Sequence, residues 1–489
     1  MAPGVHSIRA TCAALLLVAG LGAALGTSSS AATATPDCPA IAGLTPNVWV
    51  GGTSDLWHDD DNWSLGFAPG VSEGGLGYAC IPSDDVRLEG PADVRNVQAL
   101  HLGKGASLVL NDESQLFVRG NPGNMTSTID HGAVLSVEGS TFGGEGEVKL
   151  AGTLVWHSNS DGPMATFATR PCSVVAADPD TTARTAPCNG PAGGHLDRPG
   201  GLLVVKPAGT LEVDGAGVAL TDGYRIRDQG VVDVSGAGYV VADYGTTTEV
   251  AENGEFRFEN DGGYYEGEAR FGQTQLSKFL NEGLLLKKAG DGVSAVNAIY
   301  PQLGGEIRIE SGTLRVASGT PVAARVAAGA SYGSGECRHV GGTFGCRPRT
   351  DTVDKQNAAL RVPLVDHDGA DVTVSELDKD PTLYSIGAAV EVHADELDAT
   401  KRHPAILTFR YDDSLLLPGA SWRYLHIWRN SDGPGGYRKV HACDENGRPP
   451  VGEQACVDRR GIAGVSSRDK AGDVIMVVRA TGTSRWIAR

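Results

Sequence analysis

The chain has 489 residues, a net charge of −18, 67 glycines and few aromatic residues. That charge excludes the usual route to nucleic acid, whose phosphates need clustered Lys and Arg, and it disfavours anionic lipid surfaces. It is compatible with neutral or cationic glycans and with calcium, and its plainest reading is solubility outside the cell.

Met1 to Arg9 is short and basic, Ala13 to Gly26 is apolar, and Ser28 to Ala34 is rich in small residues. This is the order of a secretory signal peptide, so residues 1–34 are expected to be removed and the product released outside the cell. The apolar run is too short and too rich in Gly and Ala for a membrane span. No later apolar run reaches spanning length, so the mature protein is expected to lack one. Cys12 lies at the head of the apolar run, inside the proposed leader. The other cysteines fall in neighbouring pairs: Cys38 and Cys80, Cys172 and Cys188, Cys337 and Cys346, Cys443 and Cys456. An even set in an exported chain reads as a disulfide framework. Short loops close at lower entropic cost, which favours neighbour pairing, but the connectivity stays open. No C-x-x-C spacing speaks for zinc.

Residues 35–320 carry a loose internal period. A Gly recurs just before a short alternating apolar strand: Gly105 before Leu108 and Leu110, Gly132 before Leu135 and Val137, Gly152 before Leu154 and Trp156. The cassette returns at Gly209, Gly230, Gly254, Gly283, Gly305 and Gly312. Spacing of this order is that of one coil in a parallel β-solenoid. One coil cannot bury its apolar side chains alone, and stacking supplies the cover. Gly at the corners is expected to provide positive φ. An antiparallel sandwich also shows short, regular strands, but two-residue hairpin signals such as Asn-Gly are few. The fold expected is therefore all-β: a parallel β-helix followed by a smaller antiparallel β-sandwich.

Residues near 157–200 interrupt the period with six prolines and the Cys172 and Cys188 pair, and read as a stapled insertion. Residues 321–350 read as a connector. From 351 to 489 the alternating runs lack the Gly cassette and read as the separate sandwich.

Two stretches resemble the secreted right-handed parallel β-helix proteins of bacteria, both adhesin-like and pectin-lyase-like. The first is Trp49 to Pro69, with Trp57, the Asn62-Trp63-Ser64 triplet and a Gly66-x-x-Pro69. It is similar to the segment that precedes the first coils in that family. The second is Phe279-Leu-Asn281-Glu-Gly283 to Gly292, followed by Gly304 to Leu314, which resembles late coils of the same group. The C-terminal residues Ile406 to Ser414, Cys443, Cys456 to Arg459, Asp473 to Val477 and Ser484 to Trp486 are similar to a small β-sandwich module of secreted bacterial proteins. The resemblance implies the fold and an accessory role for the module. It says little about activity, because the family spans adhesins and glycan-degrading enzymes.

No catalytic constellation stands out, so whether the chain is an enzyme stays open. His58 with Asp59, Asp60 and Asp61 is a dense acidic cluster, read as a polar turn between Trp57 and Trp63, whose rings would cap the solenoid's open end. Asp366, Asp368 and Asp371 form a partial calcium loop that lacks the far glutamate. Turn chemistry explains the Asp-Gly equally well. No cofactor is expected, and calcium is the one metal these loops could take. Gly70-Val-Ser72-Glu-Gly74 matches a nucleophile-elbow pattern without the strand and helix it needs. Lys287 and Lys288 lie in a coil near Asp291, and lysines on a solenoid face are ordinarily solvated. Glycan binding would use exposed aromatic residues, for which Trp156, Tyr264, Tyr265 and Tyr300 are candidates, each with a packed core position as its alternative. The function expected is a non-catalytic extracellular β-helix that binds a polysaccharide or cell-surface glycan. The alternative is a polysaccharide lyase or glycoside hydrolase working in a groove of the helix, which would need a carboxylate pair. The sequence sets no oligomeric state.

Overall fold

The computed structural model describes residues 38–489 apart from 53, 71–76, 92, 121–125, 160–162, 170–199, 244, 267–276, 299, 301–302, 317–322, 335–337, 341–342, 346–355, 365–368, 378–385, 412–414, 416–424, 431–435, 459–466 and 469–473. The proposed leader, Cys172, Cys188, Cys337, Cys346, Asp366, Asp368 and Ser72 lie outside the described residues.

From Pro46 to Ser334 the chain winds as a three-sided parallel solenoid. As far as Asn281 successive strands go in turn to three sheets, the last coils add strands to only two of them, and each strand pairs with the strand one coil away. In the first sheet Pro46–Val48 pairs with Tyr78–Ile81, and the stack ends at Lys278–Asn281. The second sheet starts at Asp84–Glu89 and the third at Val94–Val97. All pairings between these strands are parallel.

The alternation of the sequence becomes burial directly, because successive side chains of a strand point to opposite faces. Ala106–Asn111 alternates buried and half-buried residues along its length. In the second sheet Leu88, Leu110, Val137, Trp156, Val213, Val234 and Phe258 stand in register as one inward column. Each coil thereby covers the apolar row of its neighbour, which a single coil could not do.

The cassette glycines serve close stacking more than positive φ. Gly105, Gly132 and Gly312 do have positive φ. At Gly209, Gly230 and Gly254, however, an added Cβ would lie 2.2 Å from a carbonyl oxygen of the neighbouring coil. The corner demands the absence of a side chain, because backbones meet there.

The solenoid's first end is closed by residues 49–70. Trp49, Trp57 and Trp63 are buried, with Trp63 5.2 Å from Trp49 and 4.9 Å from Trp57 in edge-on contacts. Trp57 Nε1 donates to Pro69 O at 3.0 Å and Trp63 Nε1 to Trp57 O at 2.8 Å. The open edge of Asp84–Glu89 is satisfied by backbone bonds between Arg87 and both Asp55 and Trp57. Asp59 caps the short 3-10 helix Asp60–Asn62, and Asp60 accepts from Ala68 N at 2.7 Å. The acidic cluster is thus part of the cap. The Cys38–Cys80 disulfide pins the preceding segment to the first sheet, where Tyr78 donates to Pro39 O at 3.1 Å.

At the other end the direction of pairing changes. Ala323–Val326 pairs antiparallel with Ala370–Leu377, and Ser331–Ser334 with Gln356–Arg361. Antiparallel strands continue from there: Ala405–Tyr411, Val474–Ala480 and Ala455–Asp458 extend the third sheet. Ile386–Asp395, Ser484–Ala488, Ile427–Asn430 and Arg438–Lys439 extend the second. The separate sandwich expected from residue 351 is not shown: the antiparallel strands there continue the solenoid's own sheets. They share its hydrophobic core, and Asp37–Arg489 forms one compact unit. The Cys443–Cys456 disulfide closes a hairpin-sized loop there.

Candidate functional site

The four aromatic candidates are inside. Trp156 and Tyr264 are 0 % exposed, Tyr300 3 % and Tyr265 6 %. Trp156 stacks on Phe167 with ring centroids 4.0 Å apart, and Tyr300 lies flat against Phe279 at 5.8 Å. Tyr264 accepts from Thr248 Oγ1 at 3.1 Å, and Tyr265 packs on Tyr239. None offers a free ring face to a glycan. The reason is parity: Trp156 sits two residues beyond Leu154, in the inward half of the Gly cassette, so a signal for its burial was in the sequence.

Lys287 is also corrected. It occupies the inward column between Phe258 and Ile309 and is 0 % exposed. Its ammonium bends to the corner, donating to Asn260 O, to Ala289 O at 2.6 Å and to Asp261 Oδ1 at 3.0 Å. Burial lowers its pKa despite the Asp261 carboxylate. Lys288, one residue on, points outward and donates to Glu259 at 2.6 Å.

Polar chemistry concentrates on the outer face of the second sheet. There Glu212, Asp233, Arg257, Leu286, Arg308, Arg325 and Asp371 stand in register on neighbouring strands. Arg257 donates to Glu255 at 2.7 Å, which holds the Glu255 carboxyl below its usual range. Partial burial, then the charge of Glu259, pushes Asp233 up, against the pull of Arg257 and Lys288.

Further along lies a concavity of about 460 Å³, lined by Glu306, Ile307, Arg308, Ala323, Ala324, Arg325 and Asp371. It forms at the seam where parallel pairing gives way to antiparallel. The short Ala side chain at position 323 leaves a notch between the longer groups beside it. Arg308 donates through Nε at 3.1 Å and through a terminal nitrogen at 2.9 Å to Glu306. Arg325 bridges Asp371 at 3.3 Å and Glu396 at 3.0 Å. Two guanidinium–carboxylate pairs therefore flank one opening. Such pairs hold planar donors beside acceptors in fixed geometry. Asp371, expected among calcium ligands, is a strand residue 3.3 Å from Arg325, while Asp366 and Asp368 of the same loop lie outside the described residues.

Glu306, Arg308, Arg325 and Glu396 were not singled out from the sequence. Glu306 and Arg308 alternate with the buried Ile307 and Ile309, so their outward direction was readable. The meeting of Arg325 with Asp371 depends on an antiparallel register between distant segments, for which the sequence holds no signal. No protein-family model, no curated protein and no solved structure matches this chain.

Proposed function

We propose that this is an extracellular, non-catalytic β-solenoid that binds a polysaccharide or glycan-covered surface along the outer face of its second sheet. The observation that carries the reading is the notch at the seam, with Arg308–Glu306 on one side and Arg325–Asp371 on the other. The setting agrees: two disulfides suit an oxidising compartment, and no helix among the described residues is long and apolar enough to cross a membrane. Recognition would rest on hydrogen bonds from charged pairs instead of ring stacking. A glycan array probed with the purified protein, with and without calcium, tests this. Retention on a polysaccharide without turnover is expected, and its loss in the Arg308→Ala/Arg325→Ala variant. Unchanged retention in that variant moves the site elsewhere, and retention only with calcium points to a metal-dependent face.

A second reading, a glycan lyase or hydrolase, draws on Glu212, Asp233 and Glu259 gathered beside Arg257 and Lys288. A carboxyl with raised pKa near a carboxylate is the pattern of acid–base pairs. Product release from a polysaccharide, abolished by Asp233→Asn, would establish it in place of the first.

A further inference from the structure

The second sheet runs through the whole described unit, from Asp84–Glu89 to Arg438–Lys439, and its two ends carry opposite charge. At the first end Asp84 and Asp85 are exposed, and the cap that closes over this strand exposes Asp60 and Asp61. At the other end the final strand consists of two exposed cations, Arg438 and Lys439. Beside them the Arg489 guanidinium lies 5.1 Å from the ring centroid of Trp428, and Lys439 Nζ donates to His426 Nε2 at 2.9 Å. Among the described residues no carboxylate lies within ion-pair distance of Arg438, Lys439 or Arg489. In a chain of net charge −18, that is a local inversion of sign.

The ends also hold exposed apolar side chains. Val50 is 57 % and Leu65 46 % exposed on the cap, and Val451 is fully exposed in the turn before Ala455–Asp458, the last strand of the third sheet. Arg438–Lys439 pairs on one side only, with Ile427–Asn430. A short, charged edge strand ordinarily repels further pairing. A partner that brings carboxylates to that edge removes the obstacle.

We propose that copies of this chain associate end to end, the basic last strand of one copy meeting the acidic cap of the next. The two surfaces differ, so the contact is heterologous, and repetition gives an open chain of copies in place of a closed dimer. Salt would weaken it, because the charges are exposed.

Sedimentation velocity of the purified protein tests the proposal. At low salt the average mass should rise with protein concentration, and about 0.5 M NaCl should return the monomer, since screening there acts within a few ångströms. Arg438→Glu/Lys439→Glu should weaken association by about tenfold or more, as should Asp61→Lys/Asp85→Lys on the other end. Mixing the two variants should restore association as alternating chains, because the native cap of the first meets the native strand of the second and their two reversed ends match each other. Circular dichroism confirms that each variant is folded. A monomer at every concentration in low salt would overturn the proposal. So would association indifferent to salt and to both variants. So would a monomer whose basic strand is needed only to bind dextran sulfate, which would make that strand a polyanion site.

Discussion

The coils up to Ser334 and the strands beyond it fill one core, yet they reach it differently. In the coils each strand meets the one a single turn away, as Leu110 meets Val137, and the same contact recurs turn after turn. Beyond Ser334, Ala370–Leu377 must find Ala323–Val326, and Ser484–Ala488 must find Ile386–Asp395. Those pairings close longer loops, which cost more entropy before any contact repays it. Repetition makes the body predictable from local pattern, whereas the end depends on particular distant partners.

The largest expected effect tests whether the two regions are one cooperative unit. Trp156→Ala in the body and Trp486→Ala in the end each remove a fully buried ring and should cost about 3–5 kcal/mol. If the core is shared, calorimetry should show a single transition that both variants lower. Two transitions, each moved by one variant alone, would break the comparison into two domains.

The disulfides sharpen it next. Cys38–Cys80 spans 42 residues and Cys443–Cys456 spans 13. Chain entropy then assigns about 4 kcal/mol to the first and about 3 kcal/mol to the second. Urea denaturation of the Cys38→Ala/Cys80→Ala and Cys443→Ala/Cys456→Ala variants should show that order. A reversed order would mean that closing the antiparallel end matters beyond loop length.

A smaller effect concerns the body's tolerance for charge in its core. Asp228 stands in the inward column of the first sheet between Val205 and Val250 and is 0 % exposed. It accepts from Gly230 N at 3.0 Å, while its other oxygen is buried without a hydrogen-bond partner among the described residues. Burial pushes its pKa up to about 7, with Glu255 adding to the rise and Arg257 opposing it. A raised folded pKa means that the acid's contribution is full below its unfolded value and is lost as pH rises through about 7. Asp228→Asn should therefore gain on the order of a few kcal/mol over the native chain at pH 8 and nothing at pH 4. Equal melting shifts at both pH values would sink this reading.

The smallest effect separates binding from stability. Arg325 lies on the surface, so Arg325→Ala should change the unfolding free energy by less than about 1 kcal/mol while reducing glycan retention. A large loss of stability would instead make the Arg325–Asp371 pair a structural clasp at the seam.

Much of this was legible. The Gly cassettes marked the coils, and Trp57 and Trp63 marked the cap, which Trp49 joins in the structure. The same cassette assigned Trp156 to the inside, although its chemistry suggested a sugar platform. Lys287 was not legible, because its position in the column depends on alignment with Phe258 and its neutralisation on a corner built from Asn260, Asp261 and Ala289.

Sequence alone determined the all-β character, the parallel winding and the inward rows, because period-2 alternation and corner glycines are local properties that every coil repeats. Tertiary structure decided where the winding stops, that the antiparallel strands continue the same sheets, and which charges face one another around the notch. Those outcomes depend on registers between segments far apart in the chain, and side-chain pattern within a segment does not specify its distant partner.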